Sequence, residues 1–180
     1  MEEMRRKDRE MDKDFAYSIM DKADFGSLAT INEDNTPYSV PISFVRKENI
    51  IYIHSAAKGT KIRNITKNPE VSMSFVGNIN IPFPDEESSV GRKPSDVFTT
   101  EFESAVIFGT ASIVDNRNEK ILALKLLCEK YTPNNLGFFN DAIKDSMDIT
   151  TVIRIDTRKI TGKRKKYDND GKEMKWGRMK

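Results

Sequence analysis

Short apolar runs separated by polar turns fill the first third of the chain, and they predict closely spaced hairpins. Strands are predicted over residues 27–31, 38–45, 50–55 and 71–76, with turns at 32–36 and 47–49. Pro37 opens the second strand and Pro41 interrupts it, which marks an edge, a bulge or an irregular stretch. Before these strands, Phe15, Ile19 and Met20 fall at helical spacing, predicting a helix over 12–22. A helix also follows Gly59 and runs to about Lys67. Residues 77–98 carry Pro82, Pro84, Gly91 and Pro94 and read as irregular, a length usually functional or disordered. Residues 100–114 form a long strand or a bent pair, with Gly109 as a candidate bulge. Asn116 followed by Glu119 resembles a capping box, opening a helix to about Lys130. Ile121, Leu122, Leu124, Leu127 and Cys128 form its apolar face. A helical turn over 136–143, a strand over 149–155 and a short strand over 159–163 complete the pattern. Hairpins first and helices between later strands are not the alternation of a doubly wound sheet. The prediction is a mainly β fold, an antiparallel barrel with peripheral helices.

Length and composition narrow the picture. The 180 residues suit one domain with a single core. Residues 1–11 are nearly all charged and are expected to fray, residues 12–163 form the domain, and residues 164–180 form a basic tail. A net charge of +2 argues against a nucleic-acid partner. No apolar run approaches the roughly 20 residues that cross a bilayer, and the charged N-terminus is no signal peptide. One cysteine, Cys128, excludes an intrachain disulfide and a cysteine-rich zinc site, and a reducing cytoplasm is the natural location. A lone histidine, His54, builds no multi-histidine metal site, so no metal ligands are assigned.

The chemistry concentrates in residues 50–65, IIYIHSAAKGTKIRNI. An apolar strand ends in His54 and Ser55, turns through Lys58 and Gly59, and enters a helix carrying Lys61 and Arg63. Helix-start N–H groups, a hydroxyl and lysines together suit a phosphate. The plainer reading is that Lys58, Lys61 and Arg63 are the solvated face of a helix. By itself His54 reads first as a half-buried strand residue with a backbone partner, and second as a hydrogen-bond donor to a cofactor, a proton donor or a haem ligand. Tyr52, Phe75 and Phe108 read as core, and Cys128 as inert packing.

This stretch resembles the flavin-binding split-barrel superfamily typified by pyridoxamine 5′-phosphate oxidase, and within it the nitroimidazole-resistance type. The resemblance runs over residues 12–162. It rests on FGSLATINEDNTPYSVPISF, IYIHSAAKGTKIRNITKNPEVSMSF and ESAVIFGTASIV in that order. It implies a six-stranded antiparallel split barrel that forms a homodimer and holds FMN at the dimer interface. Carried over, Ser55 and Lys61 contact the phosphate, and Lys58 and Gly59 form the turn beside it. His54 lies next to the flavin as the candidate catalytic residue, and Pro41, Ile42 and Ser43 lie along the ring edge. Thr60 stands where the oxidases often place arginine, and the pyridoxal-phosphate residues have no match, which argues against vitamin B6 oxidation. The implied activity is reduction of a small electrophilic acceptor such as a nitroaromatic. NAD(P)H, bound transiently without a Gly-rich fingerprint, or a flavoprotein is the implied reductant. The competing expectation is a non-catalytic flavin or haem carrier for sensing, storage or transfer. Phe83, Phe98 and Phe102 either cover a flavin face or pin the loop. Trp176 either reaches across a dimer or belongs to a disordered tail, the reading favoured for residues 164–180.

Overall fold

The computed structural model describes residues 3–81 and 99–176. The chain divides into two compact units. One comprises Met1–Ala23, Phe75–Val106 and Ile160–Lys180, and the other Asp24–Ser74 and Ile107–Lys159.

The second unit holds the hairpins. Its strands are β2 (Gly26–Ile31), β3 (Pro37–Ile42), β4 (Val45–Lys47), β5 (Ile50–Ala56) and parts of β6 (Glu70–Asn80), β7 (Glu101–Ile113) and β8 (Thr150–Lys165). Their order is β3-β2-β6-β7-β8-β5-β4. Pairing is antiparallel, with Leu28 opposite Val40 and Met73, and Ile53 opposite Ile153. With β1 (Glu10–Met11) the described residues hold eight strands, where six were expected. The class is as expected, mainly antiparallel β with helices around it. The extra strands arise because the 38–45 run breaks after Ile42 into β3 and β4, and because Glu10 and Met11 pair with Lys163 and Gly162 of β8. Pro41 is tolerated because β3 ends the sheet order, where a missing N–H costs no ladder bond on the open side.

Leu28, Phe44, Ile51, Ile53, Met73, Ile107, Ile153 and Ile155 are fully buried in this unit. A cluster of Val45, Tyr52, Val114 and Val152 packs on Ala123 and Leu127 of α3 (Arg117–Tyr131). The buried face of α3 therefore centres on Ala123 and Leu127, with Ile121 and Leu122 only half-buried. Asn116 caps α3, its Oδ1 accepting from the N–H groups of Asn118 and Glu119 at 2.9 and 3.0 Å. Glu119 does not close the box. Its Oε1 accepts instead from the Tyr52 hydroxyl and from Arg154 Nη1, each at 2.8 Å, tying the helix to β5 and β8.

Burial, and then the hydrogen bond to Glu119, push the Tyr52 hydroxyl up to about 12. The native state thus holds a phenol proton that the unfolded chain releases near pH 10. That stabilisation is complete below about pH 10 and is lost as pH rises through about 12. Between those limits, the melting temperature of the wild type should fall more steeply than that of Tyr52→Phe. Parallel curves would mean that this proton is not linked to folding.

In the first unit, α1 (Lys13–Lys22) is capped by Asp12, whose Oδ1 accepts from Phe15 N–H at 2.7 Å, and it buries Ala16, Ile19 and Met20. Several expectations change here. Residues 77–80 continue β6 rather than opening an irregular segment, and residues 101–113 form one strand. The short strand expected at 159–163 is part of the 16-residue β8. Phe83 and Phe98 lie outside the described residues. Among the described residues, 7–11 and 166–175 make defined contacts where fraying was expected. Lys7–Arg9 is a 3-10 turn, Arg9 pairs with Glu173, and Lys175 reaches Asp8 at 3.3 Å. Asp168 N–H donates to the Lys172 carbonyl at 2.9 Å and Met174 N–H to the Lys166 carbonyl at 2.7 Å, turning residues 166–174 back on themselves. Among the described residues no helix is long and apolar enough to cross a membrane.

Candidate functional site

β5 ends in an abrupt change of facing. Ile51, Tyr52 and Ile53 are buried in succession, His54 is exposed, Ser55 is buried and Ala56 is exposed. His54 projects into an apolar cleft of about 410 Å³, beside Ser43, Phe25, Leu124, Cys128 and Tyr131. Tyr131 positions the segment that carries Ser43. Its hydroxyl accepts from Phe44 N–H at 2.9 Å and donates to the Asp24 carbonyl at 2.6 Å. Cys128, expected as inert packing, is half-buried and lines this cleft. The apolar wall comes from α3, whose periodicity was legible, but neither Phe25 nor Tyr131 carried a sequence signal that placed it beside His54.

Four residues beyond His54 the chain turns. Gly59 has φ of 140°, a region that side chains rarely adopt, and it is the N-cap of α2 (Thr60–Lys67). Its carbonyl accepts from Arg63 N–H at 3.1 Å, and no side chain caps the helix start. Lys58 and Gly59 line a second cleft, about 400 Å³, with Ile62, Arg63, Thr66 and Lys67.

The residues singled out in the sequence are therefore distributed. Ser43 and His54 share the apolar cleft, and Lys58 and Gly59 share the cationic one. Pro41 and Ile42 end β3 opposite Ser27 and Gly26 and line neither. Lys61 is half-buried in the first turn of α2 and also lines neither. Ser55 is buried, and its hydroxyl donates to the Ala56 carbonyl at 3.0 Å. Arg63, read either as a solvated helix residue or as part of the phosphate turn, is exposed and lines the same cleft as Lys58. Tyr52 is core as expected, and so is Phe75, while Phe108 and Phe102 are half-buried. Among the described residues no group of three or more histidine, cysteine or acidic side chains is arranged to hold a metal.

The first unit has its own cleft of about 470 Å³, lined by Asp12, Phe15, Ser18, Arg164 and Trp176 among others. The Arg164 guanidinium lies 5.6 Å from the Phe15 ring centre, and its Nε and Nη2 are buried without a hydrogen-bond partner.

A family profile described as pyridoxamine 5′-phosphate oxidase matches residues 12–164, most of the chain. The chain belongs to this family. No curated protein sequence matches it. Solved structures of similar fold include a protein from Bacteroides thetaiotaomicron provisionally named for 5-nitroimidazole antibiotic resistance. It is 22% identical with a TM-score of 0.68, over 86% of this chain and 85% of that one. The flavocytochrome Anf3 of Azotobacter vinelandii is 14% identical with a TM-score of 0.71, over 91% of this chain and 70% of that one. A FAD- and haem-binding protein of Mycobacterium smegmatis is 16% identical with a TM-score of 0.68, over 87% and 73%. At these identities the likeness speaks for the split-barrel fold of the family.

Proposed function

We propose that the protein is an FMN-binding flavoprotein of the nitroimidazole-resistance type, reducing a small electrophile such as a nitroaromatic. The observation that carries this reading is one continuous stretch, residues 54–59. It joins an apolar cleft holding the only histidine to a cationic glycine turn at a helix start. The residues suit such a cofactor. A phosphoryl group is matched by Lys58, Gly59 and Arg63, with Lys61 in the first helical turn and the uncapped N–H groups of α2. A flat, largely apolar ring is matched by Phe25, Leu124 and Tyr131, with Ser43 and His54 as the polar groups beside it. Bound flavin supplies the electron transfer, and the protein holds and tunes it. Ser55, buried and bonded to Ala56, contributes less to the phosphate than the lysines. His54, which lines the cleft, is the group proposed to hand a proton to an acceptor there. NAD(P)H or a flavoprotein delivers electrons transiently, and the location is the cytoplasm.

Lys58→Ala and Lys61→Ala should each weaken FMN binding by about 1–3 kcal/mol, the scale of one hydrogen bond to a charged group. Riboflavin, which lacks the phosphate, should bind both variants as it binds the wild type. Equal losses for the two ligands would remove the phosphate role.

The working unit is proposed to be a homodimer, because the family builds this site from two chains. Phe25 is 62% exposed and Ile149 72% exposed, apolar surface that a partner would cover. Light scattering at micromolar concentration should give twice 20.6 kDa; a flavin-loaded monomer would sink the claim.

A haem carrier is the second reading. It is favoured by the same exposed imidazole at an apolar wall, an arrangement that suits an axial ligand. The visible spectrum separates the two, since the flavin reading requires a yellow protein and the haem reading a Soret band abolished in His54→Ala.

A further inference from the structure

The cleft of the first unit holds a cation with nothing to answer it. Gly162 and Arg164 lie two residues apart on β8 and so share one face of the strand. That face packs on α1, since a Cβ at Gly162 would lie 3.2 Å from Met11 Cβ, Ala16 Cβ and a Phe15 ring carbon. Arg164 is thereby held against the helix start, with its guanidinium 5.6 Å from the Phe15 ring centre. An aromatic face attracts the cation but gives its N–H groups no carboxylate or carbonyl acceptor. Elsewhere in the chain the same guanidinium edge meets a carboxylate. Nε and Nη2 of Arg6 donate to Asp8 at 2.8 and 2.7 Å, and those of Arg154 donate to Asp156 at 3.0 and 2.6 Å. Nε and Nη2 of Arg164 are buried and have no such partner. Acidic groups of the terminal segments are already engaged, Glu173 by Arg9 and Asp8 by Arg6 and Lys175. Asp12 and Asp14 line the same cleft, yet among the described residues neither pairs with Arg164. Asp12 Oδ1 is taken by the Phe15 N–H.

We propose that this cleft binds an α-amino acid with an apolar side chain, its carboxylate on Arg164 and its ammonium on Asp14 and Asp12. The proposal is independent of the flavin reading. A carboxylate matches the two-pronged edge of a guanidinium, and it meets a charge whose burial is otherwise costly. A plain anion is opposed by the two aspartates, and an ammonium on the same ligand turns that opposition into attraction. Met11, Phe15 and Trp176 supply an apolar wall for the side chain. The volume of about 470 Å³ suits a small molecule, within the range of roughly 300–1,000 Å³. Because the Arg164 edge is covered, binding must shift a side chain of the cleft. Trp176, 39% exposed, lines it and is the only tryptophan in the chain, so its fluorescence reports that shift.

Fluorescence titration and equilibrium dialysis of the full chain with L-leucine test this. The expected result is a saturable change in Trp176 emission. Leucinamide, which lacks the carboxylate, and 4-methylpentanoate, which lacks the ammonium, should each bind about tenfold more weakly or worse. Inorganic phosphate should give no response. Arg164→Met should abolish leucine binding without lowering the melting temperature, because it removes a buried, unmet charge. Arg164→Lys keeps the charge without the fork and should bind about tenfold more weakly; it decides the matter if Arg164→Met does not fold. Asp14→Asn should weaken leucine and leave 4-methylpentanoate unchanged. Absence of saturable leucine binding overturns the proposal, and so does leucine binding that survives in the Arg164 variants. Binding of phosphate or 4-methylpentanoate as tight as that of leucine overturns it as well, since the site would then read an anion alone.

Discussion

Gly109→Ala should destabilise the protein by about 3 kcal/mol, and Gly109→Val should leave no soluble native state. A Cβ at this position would lie 2.5 Å from the Asp156 carbonyl oxygen, 2.9 Å from Ile155 Cγ2 and 3.2 Å from the Asp156 carbonyl carbon. Two of these three atoms are backbone, so no rotamer change relieves the overlap. Overpacking of a filled core typically costs about 1–3 kcal/mol, and a backbone clash belongs at the upper end. The consequence is large because β7 lies between β6 and β8 in the strand order, so displacing it disturbs both ladders. Urea unfolding measures it as a lower midpoint at unchanged slope. A shift under 0.5 kcal/mol would show that the strands separate without cost. Ala105, two ladder repeats earlier and also buried, shows that β7 admits a methyl elsewhere on the same face.

His54→Ala should slow reoxidation of the reduced flavoprotein by a nitro acceptor about 10²-fold, the scale of one general acid. Flavin affinity should stay within about tenfold, or roughly 1.4 kcal/mol, because the groups proposed to hold the phosphate lie beyond the strand end. The prediction rests on the facing of β5. His54 is the exposed member of a strand otherwise buried from Ile51 to Ser55, so truncating it empties no core site. His54→Gln retains a donor but cannot release a proton, so it should restore flavin orientation without restoring the rate. Single-turnover reoxidation separates these outcomes. A wild-type rate in His54→Ala would make the residue a simple strand position.

The elements that sequence reading located well are those coded locally. The strand over residues 50–55, the glycine start of α2 and the Asn116 cap of α3 each depend on residues within one turn or one run. Family resemblance over residues 12–162 was legible for the same reason, since motif order is a linear property, and the family profile matches residues 12–164. Distant partners escaped it. Glu119 looks like a capping residue until Tyr52 and Arg154 arrive from two strands and take its carboxylate. Gly109 looks like a bulge until Asp156 is known to pass within contact of it. Residues 166–174 look too charged to order until Arg9 meets Glu173 from near the other end of the chain. The candidate site divides in the same way. The residue types at 54–59 followed from the sequence, whereas the apolar wall from α3 did not. A cleft is made by surfaces brought together from distant parts of the chain, and local periodicity records only which side of an element is apolar, not what will face it.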